Sequence, residues 1–396
     1  MAYSRKCLQV SFRLDSWQAF CILIRFLRKD IMGFTCGIVG LPNVGKSTLF
    51  NAITAAGAEA ANYPFCTIDP NIGVVAVPDK RMTRLIEIYK PAKVTPTSLE
   101  FLDIAGLVKG ASKGEGLGNQ FLSHIRNADA IAHIVRCFDD ENVVHVDGSV
   151  DPKRDIEIIE TELILKDLET VEKKFSDAEK RSRGGDKDTK VEADFYARVR
   201  DHLTGGRLAR YCSVSGEKEQ TWFRDAHLLT AKPVMYVCNV HEKEVGKDNA
   251  YTTQVREIAA KEGAKVVVIS AAVEAEVAEL PENERHPFLE GLGLHESGLE
   301  QVIHEGYALL HLITFFTCGP KEVHAWTVEK GSTAPHAAGQ IHSDFEKGFI
   351  RAEVMKYADL DRLGSEASIK EQGLLYVQGK EYLVEDGDVM FFRFNV

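Results

Sequence analysis

Gly40-Leu41-Pro42-Asn43-Val44-Gly45-Lys46-Ser47 is the stretch on which the reading of this chain turns. Phe34-Thr35-Cys36-Gly37-Ile38-Val39 before it reads as a short buried strand. Thr48-Leu49-Phe50-Asn51-Ala52-Ile53 after it has helical spacing. A G-x-x-x-x-G-K-S loop between a strand and a helix is the context of a phosphate-binding loop. Its glycines let backbone N–H groups turn inward around phosphate oxygens, and the helix N-terminus adds partial positive charge. Asn43, Val44, Gly45, Lys46, Ser47 and Thr48 are then the expected phosphate contacts. Lys46 reaches the β/γ-phosphates and the Ser47 hydroxyl ligates Mg²⁺. The fold class is α/β, a doubly wound and mostly parallel sheet.

Working outward, Asp103-Ile104-Ala105-Gly106 follows the strand-like run Thr97 to Leu102. An Asp at that strand end is expected to hold Mg²⁺ through water, and the Gly106 N–H to meet a γ-phosphate. Between the two motifs lies Asn62-Tyr63-Pro64-Phe65-Cys66-Thr67-Ile68-Asp69-Pro70. Thr67 is positioned to complete the Mg²⁺ shell, which makes 62–70 a candidate switch loop; a plain loop threonine is the bland alternative. Gly110, Gly114, Gly116 and Gly118 after it mark a second candidate switch, or a flexible surface loop.

The strand Pro233 to Cys238 ends in Asn239-Val240-His241-Glu242, where GTPases carry N-K-x-D. The Asp of that motif accepts from the guanine N1–H and 2-amino group. Here Val240 replaces Lys and Glu242 replaces Asp, and adenine has an acceptor at N1 and no 2-amino group. ATP therefore becomes the expected nucleotide and GTP the weaker one. The strand Lys265 to Ile269 leads into Ser270-Ala271-Ala272, expected to flank the base together with Asn239, Val240 and Glu242.

These motifs together resemble the Obg-related P-loop GTPases, and more narrowly the Obg-like ATPase (YchF) family. The resemblance rests on Gly40 to Ser47, Asn62 to Ile68, Asp103 to Ser112 and Asn239 to Glu242, and it covers residues 33–396. It implies ATP hydrolysis on a GTPase fold, association with ribosomes and their RNA, and a stress-linked regulatory role. In Ras-like enzymes a Gln after D-x-x-G orients the attacking water; here that position is Leu107. Two candidates remain to help hydrolysis. Asn43 matches the residue that coordinates K⁺ in related cation-dependent enzymes, so K⁺ is a candidate second cation; otherwise Asn43 is a turn residue. His145 matches a family histidine proposed to act from a loop; a lone loop histidine is otherwise a solvated side chain.

Between Asp103 and Asn239 lies more chain than one βαβ unit needs. Ile164, Leu168, Val171, Phe175 and Ala178 form an apolar helical seam, Gly184-Gly185-Asp186 breaks it, and Val191, Phe195, Val199 and His202 resume it. We read a helical hairpin over 155–215, inserted in a nucleotide-binding domain over 33–310. From Lys166 to Arg210 there are 12 Lys/Arg against 10 Asp/Glu in a chain of net charge −11, a relief that suits an RNA contact or simply a solvated pair of helices. Short β-rich runs punctuated by glycines over 311–396 read as an α+β domain able to fold by itself. It resembles the ubiquitin-like β-grasp TGS domain of ribosome-associated proteins.

With 396 residues, 44% hydrophobic and 27% charged, the chain has the composition of a globular protein. No run of 18 apolar residues is present, which argues against a membrane span, and the acidic balance argues against a DNA-coating protein. The eight cysteines include no C-x-x-C pair and read as reduced thiols of a cytoplasmic protein. Residues 1–31, with Arg25 interrupting their apolar centre before Met32, are expected to be a start-site artefact rather than a signal peptide. The rival functions are a GTPase on the same fold and a nucleotide-gated ribosome-binding module with negligible turnover.

Overall fold

A computed structural model describes residues 34–59, 71–104, 125–140, 143, 145, 148–184 and 186–395. The strands run in chain order β1 (Thr35–Val39), β2 (Ile72–Ala76), β3 (Lys93–Thr95), β4 (Ser98–Asp103), β5 (Ala130–Arg136), β6 (Val234–Asn239) and β7 (Lys265–Ile269). All but β3 form one six-stranded sheet, ordered β2-β4-β1-β5-β6-β7. Only β2, at its edge, is antiparallel to its neighbour; the other pairs are parallel. Every residue of β5 and β6 is buried, as continuous apolar strands require when helices cover both faces of a sheet.

The helices of this half are α1 (Lys46–Glu59), α2 (Lys80–Tyr89), α3 (Pro152–Ser182), α4 (Lys187–Thr204), α5 (Gly216–Asp225), α6 (Ala250–Glu262), α7 (Ala271–Glu279), α8 (Glu282–Gly291) and α9 (Gly298–Leu309). Leu49 and Ile53 of α1 and Val302 and Ile303 of α9 share one cluster with the sheet. Ile156 of α3 and Val255 and Ala259 of α6 form another with β5 and β6.

Helices α3 and α4 are the hairpin. It starts slightly earlier than its seam suggested, because Asp151 caps it and Pro152 takes the first position. Ile164, Val171, Ala178, Phe195 and Val199 are buried in its seam. Val191 is instead half exposed: near the tip, the contact between the helices is the Arg181–Glu192 ion pair, and Val191 stands beside it in solvent. The root is fixed by Asp167, buried, whose carboxylate accepts from the Leu229 N–H at 2.7 Å, the Thr230 N–H at 2.8 Å and the Thr230 hydroxyl at 2.6 Å.

The C-terminal strands β8 (Leu312–Cys318), β9 (Glu322–Glu329), β10 (Phe349–Lys356), β11 (Tyr376–Gln378) and β12 (Asp388–Phe394) are joined by short helices, including α10 (Ala334–Ile341). Their sheet runs β11-β10-β12-β8-β9-β3. Its last strand is thus Lys93–Thr95, parallel to β9 and contributed from far upstream. One face packs Phe315, Val354 and Met390 on Ala337 and Ala338 of α10. The other buries Phe316, Val323, Leu360 and Val389 together with Met82 and Leu85 of α2. Part of the core of the unit over 311–396 and one edge strand of its sheet thus come from residues 80–95.

Candidate nucleotide site

The loop between β1 and α1 takes the shape its sequence demands. Asn43 and Gly45 both have left-handed backbones, at φ 62° and 95°; Asn tolerates this region and Gly is at home in it. A Cβ at Gly45 would also stand 2.2 Å from Asn239 Nδ2, and one at Gly40 would stand 2.8 Å from the Ile134 carbonyl oxygen. Both glycines are therefore required by close approach. Asn43, Ser47 and Thr48 are exposed, whereas Val44 is buried beneath the loop.

Lys46 and Asp103 meet across the loop. The Lys46 Nζ donates to Asp103 Oδ1 at 2.7 Å, with the two side chains 9% and 21% exposed. Sequence places these groups 57 residues apart; the pairing of β1 with β4 (Ile38 opposite Asp103) brings them together. The Ser47 hydroxyl and the Asp103 carboxylate are hard oxygen donors, a set that suits Mg²⁺. Thr67, Gly106, Leu107 and both candidate switch segments lie outside the described residues.

Asn239, at the end of β6, ties the two ends of the site. Its Nδ2 donates to the Val44 carbonyl at 2.9 Å and its Oδ1 accepts from the Ala271 N–H at 2.9 Å. The phosphate loop and the Ser270–Ala272 turn are therefore held by one buried amide. Ser270 is buried and caps α7 through its Oγ; Ala272 is exposed. Glu242 is exposed at the start of a short 3-10 turn. The Val240 side chain lies inward. It is 2% exposed, packed with Val135, Cys238, Val255 and Ala259.

His145 is also not the solvated loop side chain that its type suggests. Its Nε2 lies 2.9 Å from Asp155 Oδ2, with the two side chains 4% and 3% exposed. The segment leading to it is held by Arg136, the last residue of β5, whose guanidinium donates to the carbonyls of Phe138 at 3.0 Å, Val143 at 2.9 Å and Asp140 at 3.3 Å. Neither Asp155 nor Arg136 was singled out by the sequence reading. An arginine closing an otherwise apolar strand was the available signal.

A second polar group is half-buried against β6. Arg210 reaches Glu262 at 2.9 Å and Glu160 at 3.4 Å, and the Tyr236 hydroxyl donates to Glu262 at 2.9 Å. Burial, aided by Glu262, pushes the Glu160 carboxyl up to about 7. Burial, with Arg210 nearby, pushes His133 down to about 3. The Cys36 thiol is pushed up to about 12, chiefly by burial. The described cysteines are all free thiols. No helix among the described residues is long and apolar enough to cross a membrane.

Comparison with known proteins finds relatives over most of the chain. Residues 35–174 match the family model described as 50S ribosome-binding GTPase, and residues 312–395 match YchF-GTPase_C, a protein of unknown function. The chain is 56% identical to the ribosome-binding ATPase YchF of Escherichia coli O157:H7, over 92% of this chain and 100% of that one. It is 55% identical, with the same coverage, to the protein of that name from Bacillus subtilis. The solved structure of the Schizosaccharomyces pombe YchF GTPase superposes with a TM-score of 0.82 at 42% identity, over 91% of this chain and 98% of that one. With a P-loop nucleotide fold, a C-terminal sheet and relatives this similar over 92% of its length, the chain belongs to the YchF family.

Proposed function

We propose that this protein is a Mg²⁺-dependent ATPase that prefers ATP to GTP and works in the cytoplasm as a ribosome-associated switch. The observation that carries the reading is the Asn239 bridge, which joins an intact phosphate loop to the Ser270–Ala272 turn, while the base-selecting carboxylate three residues after Asn239 is an exposed Glu242 rather than an Asp. The names of the relatives, ribosome-binding ATPases, support the reaction and the partner. In this proposal Ser47, Asp103 and Thr67 hold the Mg²⁺, which when bound neutralises charge developing on the β- and γ-phosphates. Lys46 binds the same phosphates, Gly106 donates its N–H to the γ-phosphate, and Asn43 offers its side-chain oxygen to K⁺. Val44, Gly45 and Thr48 donate N–H groups to the phosphates. Asn239, Glu242, Ser270, Ala271 and Ala272 frame the base, Val240 contributing only its backbone. His145 assists the attacking water that Leu107 leaves unoriented. The hairpin and the C-terminal sheet meet ribosomal RNA; no DNA or membrane partner is proposed.

Phosphate release by the full chain, measured with ATP and with GTP, with and without ribosomes and with K⁺ or Na⁺, tests this. ATP turnover that rises with ribosomes and K⁺ and disappears in Lys46→Ala is expected. Turnover at background under every condition would instead favour the nucleotide-gated binding module that Leu107 makes a real second reading. His145→Ala should lower kcat about a hundredfold or more, the range of general acid–base assistance, with little change in nucleotide affinity.

A further inference from the structure

We propose that Asp155 is a positioning residue that holds His145 in a withdrawn, buried pose, and that this pair opens before His145 assists hydrolysis. The proposal rests on the reading that His145 acts in the reaction.

The geometry is specific. A group that helps the attacking water must bring a ring nitrogen within about 2.6–3.2 Å of that water or a bridging one. The His145 ring is 4% exposed, and its Nε2 is engaged at 2.9 Å by a carboxylate that is itself 3% exposed. In this pose that nitrogen is not offered to solvent. Asp155 is fixed from behind: it lies in the first turn of α3, where its N–H donates to the Asp151 carbonyl at 3.0 Å. His145 is fixed from both sides along the chain. Upstream, Arg136 clamps the carbonyls of Phe138, Asp140 and Val143; downstream, the His145 carbonyl accepts from the Gly148 N–H at 3.1 Å.

Opening the pair would ordinarily leave a buried carboxylate without a partner, which is costly. Arg154 supplies the remedy. Its Nη2 already donates to the other oxygen of Asp155, Oδ1, at 3.2 Å, and its own side chain is 31% exposed. The carboxylate therefore keeps a cation when His145 departs. The helix that carries Asp155 also carries the hairpin, 31 residues in one element, so a turn of the hairpin moves the carboxylate that holds the ring.

The test uses the full chain with ATP and Mg²⁺. Asp155→Asn should raise kcat about three- to tenfold with KM little changed, and the gain should vanish in the Asp155→Asn/His145→Ala double variant. A fall in kcat matching that of His145→Ala would mean that Asp155 orients the histidine for reaction, and would overturn the proposal. So would an unchanged kcat, or a gain that persists without His145. If His145→Ala itself leaves kcat unchanged, the assisting role of His145 fails and the latch with it; if it lowers kcat while Asp155→Asn does not raise it, the latch alone fails. Because Asp155 is buried and its replacement risks misfolding, the wild-type protein gives an independent readout. Imidazole ¹⁵N–¹H spectra should show His145 Nε2–H bonded and protected from exchange without nucleotide, and released on adding a non-hydrolysable ATP analogue with Mg²⁺. A His145 signal identical in both states would contradict the proposal.

Discussion

Asn239 accepts from the Ala271 N–H and donates to the Val44 carbonyl, so Asn239→Ala strands two buried backbone groups, at about 1–3 kcal/mol each. Nucleotide affinity should fall at least tenfold and Tm should drop, read by titration and calorimetry; full affinity in the variant would show that the bridge does not organise the site. Glu242 is the residue to alter for base choice, because it is exposed. Val240→Lys would bury an ammonium among Val135, Cys238 and Val255, a heavy cost. Glu242→Asp alone should therefore narrow the gap between ATP and GTP; a GTP affinity that does not rise would remove Glu242 from base selection. The phosphate loop was legible because glycine geometry, a lysine and a hydroxyl fall within eight consecutive residues. The bridging of Asn239 was not, since its partners stand 195 and 32 residues away. Asp155 was hidden differently: an acidic residue in a first helical turn is what the helix dipole alone would favour, so its hold on His145 left no mark in the sequence.

The strands and helices were legible where periodicity was strong, in β1, β5, β6, β7 and the hairpin seam, each of which buries a continuous apolar face. The three-residue β3 escaped because its surroundings, Lys93 and a half-exposed Val94, carry no apolar pattern; only pairing with β9 makes it a strand. Between elements, the Arg210 group couples α3, α6 and β6. Glu160 on α3 has its carboxyl pushed from 4.5 to about 7. A group raised in the folded chain contributes stability that is complete below about pH 4.5 and is lost as pH climbs through about 7. Glu160→Gln keeps the neutral form at every pH. With the side chain 22% exposed, the variant should be more stable than wild type by about 1–3 kcal/mol at pH 8, the gain fading toward pH 5. Thermal melts across that range check this, and a lower Tm at pH 8 would mean that the ion pair with Arg210 outweighs the burial of the carboxylate.

At the scale of the molecule, the two sheets are not independent. Met82 and Leu85 of α2 complete a core whose other fully buried members come from residues 316–389. β3 extends the C-terminal sheet, and Arg81 and Arg84 reach Asp386 and Asp361 at 2.7 and 2.8 Å. Deleting 312–396 uncovers that apolar face, so the remainder should lose several degrees of Tm or aggregate. A truncated chain as stable and monomeric as the full one would contradict the shared core. Joined in this way, the C-terminal sheet is built to move with the nucleotide half rather than on a tether. The proposed function turns on which nucleotide is bound. Calorimetric titration of non-hydrolysable ATP and GTP analogues into the full chain, with Mg²⁺ and K⁺ present, should find ATP bound about tenfold or more tightly, a difference of about 1.4 kcal/mol. GTP bound more tightly by the same margin would contradict the account and make this protein a GTPase with an unusual base-recognition turn.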